Sequence, residues 1–202
     1  VKPSFILAYI PSTIIYGFYY LFKRRSLRVV STICFAPSLF AGVLVFAQKY
    51  AIYSLQLGSL QEGTSGVSLG FPFQVFTIHV PPWYIPLGLF LSFAFPLCVI
   101  AFKPHILKST GFFYSLVLIV VSILVSSLLI ETGPRLAHGN FVWTAHISSF
   151  ILYFSAINYL SQSDFKMPAR GFFDTTILIL FFGHVISGIA YITKYILTGS
   201  YA

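Results

Sequence analysis

The residues of this sequence best suited to chemistry gather between positions 131 and 143, where Glu131, Arg135, His138, Asn140 and Trp143 follow one another closely. The chain has four acidic residues in all, so a glutamate beside an arginine, a histidine and an asparagine is a conspicuous concentration. Arginine offers a planar fork of donors to a phosphate or carboxylate. The start of a helix expected from position 142 adds free N–H groups and a positive dipole end, so the group can hold an anion. Glu131 and His138, with His146 one turn below Trp143, are the candidate acid/base groups of such a site. The same residues can also serve as a cap, with Glu131 paired to Arg135, Asn140 at the helix N-cap and Trp143 anchored at an interface.

Further polar groups fall at a similar depth in neighbouring apolar runs. Lys49 lies about 10 Å to one side of the centre of its run, where an ammonium must snorkel, face a wet cavity or pair with a carboxylate. Glu131 is the available partner. Lys194 and Tyr191 approach the same level from the last run, so Lys49, Arg135, Asn140, Lys194 and Tyr191 form the expected ligand-binding set. His184 sits near the middle of the last run, between Gly183 and Gly188. A histidine there needs an interhelical hydrogen bond or a cofactor. Paired with His146 it could ligate haem, although regular helices would leave the two rings about 8 Å apart in depth. No HExxH, CxxC or helical Glu-x-x-His pattern points to a metal, and no glycine-rich phosphate loop or specific cofactor motif is present. His79, His138 and His146 could bind zinc together if folding gathered them, but no carboxylate pattern supports them.

These groups must be positioned by membrane-spanning helices. Of 202 residues 57% are hydrophobic and 8% charged, too few polar side chains to cover a water-soluble globule. The 23 Phe and 13 Tyr suit lipid-facing and interfacial positions. Six apolar runs, at about 4–22, 29–55, 83–102, 112–130, 142–160 and 172–197, match a hydrocarbon layer of roughly 30 Å. The first is closed by Lys23, Arg24 and Arg25 and reads as a span, not as a cleaved signal. The net charge of +8 is carried mainly in the short gaps between runs, a pattern of topology signals that argues against nucleic acid.

Counting alternate gaps gives eight basic residues on one side (Lys23, Arg24, Arg25, Arg28, Lys103, Lys108, Lys166, Arg170) and four on the other (Lys2, Lys49, Arg135, Lys194). The positive-inside rule then puts both termini outside. Cys34 and Cys98 fall toward the inner side and read as small apolar fillers without a disulfide. The outer loops 56–82 and 131–141 are expected to cap the bundle. Gly63, Thr64, Ser65 and Gly66 in the first of them resemble the GxSG string of rhomboid proteases. Ser65 falls in an extramembrane loop, however, away from the midplane His184.

The sequence therefore leads to an all-α integral membrane protein: a single domain over 1–202 with six transmembrane helices, in a prokaryotic plasma membrane or an organelle membrane. Its expected function is an outer-half polar pocket that binds, carries or transforms an anionic amphiphile, a lipid phosphate or lipid-linked intermediate. The alternatives are a non-catalytic structural subunit packed against other membrane chains, a haem-binding membrane protein and, from several copies, a conducting pore.

Overall fold

A computed structural model of the chain describes residues 3–24, 27–53, 67–132, 139–162 and 171–198. Each of the six apolar runs is helical over most of its described length. The first is α1 (Pro3–Arg24). The second comprises α2 (Leu27–Val30), a π turn over Ser31–Phe35, and α3 (Ala36–Tyr53). A strand, β1 (Val67–Leu69), and the short α4 (Gln74–His79) come before the third run. The remaining four runs are α5 (Tyr84–Phe102), α6 (Thr110–Leu128), α7 (Val142–Gln162) and α8 (Phe172–Thr198), with β2 (Leu129–Glu131) directly after α6.

Among the described residues, α1, α5, α6 and α8 are long and apolar enough to cross a membrane. In the second run only the stretch Ala36–Ala47 qualifies as apolar, and α7 is diluted by Ser148, Ser149, Ser155, Asn158, Ser161 and Gln162. The outward faces carry large apolar side chains: Phe22, Phe46, Phe150, Phe172 and Leu197 are between 72% and 81% exposed. Leaving such a side chain in water forgoes about 1.5–3 kcal/mol of burial, a loss that hydrocarbon removes.

The helices fall into two units, Val1–Ile78 with Tyr114–Ile151, and His79–Phe113 with Leu152–Ala202. In the first unit, α1 packs against the second helical run. A Cβ on Gly17 would lie 3.2 Å from Cys34 Cβ, so the approach of α1 to the π turn depends on that glycine. The π turn ends two residues before Pro37, whose ring would crowd the carbonyl four residues earlier in a regular helix; a wider turn relieves this. Buried hydroxyls tie the unit together. Thr13 Oγ1 and Tyr114 Oη are 2.9 Å apart across α1 and α6, and Ser122 Oγ and Ser148 Oγ are 2.5 Å apart across α6 and α7.

In the second unit α5 and α8 run antiparallel. Phe102 packs against Phe173 with tilted rings whose centroids are 4.5 Å apart, and Lys103 Nζ lies 3.0 Å from Asp174 Oδ1. Asp174 occupies the first turn of α8, where a carboxylate also complements the helix dipole. Phe95, fully enclosed, meets Tyr153 and Phe181 at 5.2 and 5.6 Å. The connection from α5 to α6 is a 3-10 turn, Pro104–Lys108, that buries Ile106 completely.

The helical class expected from the sequence is observed, with one addition. β1 and β2 form a two-stranded antiparallel ribbon that pairs Val67 with Glu131, Ser68 with Ile130 and Leu69 with Leu129. Pairing continues past it, through Gly70 N–H to Leu128 O at 2.8 Å and Phe73 N–H to Ser127 O at 2.9 Å. The described part of the 56–82 loop is thus hydrogen-bonded to the end of α6.

Candidate functional site

The ribbon fixes one side of the 131–141 connection, and a side-chain bond fixes the other. Asn140 Nδ2 donates to Glu131 Oε2 at 2.6 Å. Gly139, at φ +58, turns the chain into α7, and its carbonyl accepts from Val142 N–H at 2.9 Å. A left-handed residue is natural for glycine and strained for most others. The Asn140 amide therefore clasps Glu131, where the sequence suggested an N-cap for α7. Arg135 and His138 lie outside the described residues, as does the side chain of Lys49, whose backbone belongs to α3.

Of the expected pocket, the structure brings together Glu131 and Asn140. His146 is exposed on α7 and meets Trp143 edge-on at 5.9 Å. Tyr191 and Lys194 are exposed on the last third of α8, in the second unit. Among the described residues no group of three His, Cys, Asp or Glu side chains is placed to hold a metal. The Ser65 string of the rhomboid resemblance also lies outside them.

Another cluster is built around Pro96 in α5. Proline has no N–H, so the carbonyl of Ser92, four residues earlier, lacks its helical donor. Tyr153 of α7 supplies one: its hydroxyl donates to Ser92 O at 2.6 Å. The neighbouring carbonyl, Leu91 O, lies 2.9 Å from Nε2 of His184 on α8. The other ring nitrogen, Nδ1, lies 2.7 Å from Leu180 O of its own helix. The His184 and Tyr153 rings meet at a tilt with centroids 5.2 Å apart, which joins the two contacts in one assembly. In hydrocarbon, a carbonyl opened by a proline must find a donor on a neighbouring helix, and Ser92 O has done so in Tyr153.

No family model, curated protein or solved structure matches this chain. What the chain does must therefore be read from its own geometry. Both His184 nitrogens face carbonyl oxygens, so iron ligation there would require breaking one of these contacts. The interhelical bond, one of the two roles read for His184 from the sequence, accounts for it. Sequence reasoning overlooked Tyr153 and Ser92; the signal was a proline four residues after Ser92 inside an apolar run, which obliges some other element to bring a donor.

A groove of about 700 Å³ opens between α1 and α3. Ile10, Ile14, Phe35, Leu39, Val43 and Phe46 form its walls, and the small residues Ala36, Ser38 and Gly42 also line it. Ser38 is 6% exposed, and its hydroxyl has no hydrogen-bond partner among the described residues. On α1, Ser12 and Thr13 satisfy theirs with the carbonyls of Ala8 and Tyr9, at 2.6 and 2.8 Å. Ser38 would need the carbonyl of Cys34, which belongs to the π turn and is displaced from the regular track.

Proposed function

We propose that this chain is a multi-pass integral membrane protein with six spans and outer termini, serving as a non-catalytic subunit that receives an apolar helix of a partner membrane chain between α1 and α3. The observation that carries this reading is the groove itself. From Phe35 to Phe46 it extends along α3 for about 16 Å, three helical turns. Ser38 and Gly42 are spaced as small-xxx-small, which lets helix backbones approach closely in a membrane. The described tie-forming side chains elsewhere bond within the chain: Thr13 with Tyr114, Ser122 with Ser148, Tyr153 with Ser92, Lys103 with Asp174. Ser38, like Ser4 and Thr144, has a buried hydroxyl with no partner among the described residues.

Gly42→Ile tests the proposal without disturbing the chain's own packing. A Cβ at position 42 meets nothing closer than Ile10 Cδ1 at 3.9 Å, so the added bulk fills the groove. The expected result, from mild-detergent extraction and native mass spectrometry, is unchanged expression with at least about tenfold less co-purifying partner chain, the effect of losing roughly 1.4 kcal/mol or more of association. Undiminished partner recovery from Gly42→Ile would refute it.

A second reading rests on the Glu131–Asn140 clasp, which ties both ends of the connection bearing Arg135 and His138. An anionic amphiphile, a lipid phosphate or lipid-linked intermediate, would bind there through Arg135, helped by Lys49. In the same mass spectra, a retained anionic lipid lost on Arg135→Ala supports this reading, and a lipid-free polypeptide mass with the partner retained opposes it.

A further inference from the structure

The strand β1 is turned inside out for a ribbon that meets water. Side chains alternate between the two faces of a strand. Here exposure alternates from Val67 to Phe71, with Val67, Leu69 and Phe71 at 61%, 79% and 82% and with Ser68 and Gly70 half-buried between them. The small residues face the protein, where a Cβ on Gly70 would lie only 2.7 Å from Ile130 Cγ2 of β2. The large apolar ones face away. Their backbone is held in that pose: Phe71 N–H donates to Gln74 Oε1 at 3.1 Å, and Phe73, at φ +62, is tied through its N–H to Ser127 O.

We propose that the β1–β2 ribbon lies in the membrane interface, with Val67, Leu69 and Phe71 seated in the headgroup and upper acyl region of the leaflet where α6 ends. An exposed apolar patch of this kind marks a surface that something covers, and the attachment of the ribbon says that the cover is lipid. The 19 residues of α6 rise about 28 Å, close to a hydrocarbon layer of about 30 Å. β2 begins at the next residue, and Gly70 and Phe73 bond the carbonyls of Leu128 and Ser127 in the last turn of α6. The ribbon therefore starts where the hydrocarbon ends. Val120, Leu124 and Leu128, four residues apart, are exposed along α6, so its apolar surface stays open right up to the ribbon.

Two further observations fix the depth and the chemistry. Among the described residues β1 and β2 pair only with each other, which leaves both outer edges open. Open edges are excluded from hydrocarbon but tolerated at the interface, where water reaches the backbone. Strands of three residues extend about 10 Å, which matches the depth of about 5–10 Å to which an interfacial element buries its apolar side chains. From Val67 to Val80 the sequence holds no Asp, Glu, Lys or Arg and has three Phe. A segment so free of charge suits the headgroup boundary better than bulk water. The inference rests on α6 crossing the membrane and is independent of what fills the groove between α1 and α3.

The test uses the full chain in phosphatidylcholine nanodiscs, with Cys34 and Cys98 replaced by alanine and one spin label at a time at Leu69→Cys, Phe71→Cys or Val120→Cys. All three side chains are exposed, so a label there displaces no packing. Collision with oxygen and with a water-soluble nickel chelate reads the depth of each label. The labels at 69 and 71 are expected to favour oxygen and to lie within about 5–10 Å of the headgroup boundary, with the label at 120 deep in hydrocarbon. Free access of the chelate to 69 and 71, with 120 deep, overturns the interfacial seat alone. Access of the chelate to 120 removes the crossing by α6, and the proposal with it. Exclusion of both reagents from 69 and 71 means that protein covers them, which also overturns it. A second measurement keeps both native cysteines and replaces Phe71 with the photoreactive p-benzoylphenylalanine, a close mimic of the native ring. Irradiation is expected to give a mass increase of one phosphatidylcholine; a link within the chain, a link to another chain, or no adduct refutes the proposal.

Discussion

Tyr153→Phe is expected to destabilise the second unit by about 1–3 kcal/mol, an effect that should largely vanish when Pro96→Ala is present as well. The phenylalanine keeps the ring contacts with Phe95 and His184 but loses the hydroxyl that donates to Ser92 O at 2.6 Å. Interhelical hydrogen bonds in membranes average only about 0.6 kcal/mol, because a group that loses its partner finds another. Ser92 O is poorly placed to do so. Its intrahelical donor would be the N–H of residue 96, which proline lacks, and hydrocarbon offers none.

Pro96→Ala restores that N–H and lets α5 straighten. A double-mutant cycle, read by equilibrium unfolding in mixed detergent micelles, should give a coupling of about 1–2 kcal/mol between the two positions. Pro96→Ala alone should be close to neutral or stabilising, since Ser92 O has two lone pairs and can accept from the Tyr153 hydroxyl and the restored backbone N–H together. Equal loss from Tyr153→Phe in both backgrounds would mean that the hydroxyl is not answering the proline, and the account of the Pro96 cluster would fail.

The contrast shows which parts of this protein its sequence discloses. The helices were legible because each needs only a local property, a continuous apolar run of sufficient length: 172–197 was expected and α8 covers Phe172–Thr198, while 83–102 became Tyr84–Phe102. Pro37 and Pro96 were equally visible as irregularities inside runs. What was not legible was how each is accommodated, because Pro37 is answered by its own helix, through a π turn, and Pro96 by Tyr153 of another helix. A donor's identity is a long-range fact. The β1–β2 ribbon was hidden for the same reason: three-residue strands have no periodicity, and Val67 finds Glu131 across 63 intervening positions. The candidate site divides along this line too. Residue types suggested that Glu131 and Asn140 belong together, but Asn140 clasps the carboxylate instead of capping its own helix. The roles assigned to Lys194 and Tyr191 came from depth alone, which says nothing about facing.

Gly70→Ala is the second substitution with a large expected effect, and its action should be local. A Cβ there would lie 2.7 Å from Ile130 Cγ2, 2.9 Å from Ile130 Cδ1 and 2.8 Å from Gln74 Oε1. Ile130 is 8% exposed in the centre of β2, so it has little room to yield, and Gln74 Oε1 is already the acceptor for Phe71 N–H at 3.1 Å. Relief therefore comes from moving the backbone of residue 70, which breaks its bond to Leu128 O and loosens the ribbon, at a cost of about 1–3 kcal/mol for overpacking. Hydrogen exchange should rise at Leu129 to Glu131 and at Gly70 and Phe73, while the helical circular dichroism stays unchanged. Gly183→Ala and Gly188→Ala provide the control of opposite sign, since nothing lies within 4 Å of a Cβ at either position. Both sit inside α8, where alanine should stabilise by about 0.5–1 kcal/mol. If Gly70→Ala behaves like these two, the close approach of Ile130 does not hold the ribbon. The clasp between Glu131 and Asn140 would then be the main restraint on the connection that carries Arg135 and His138.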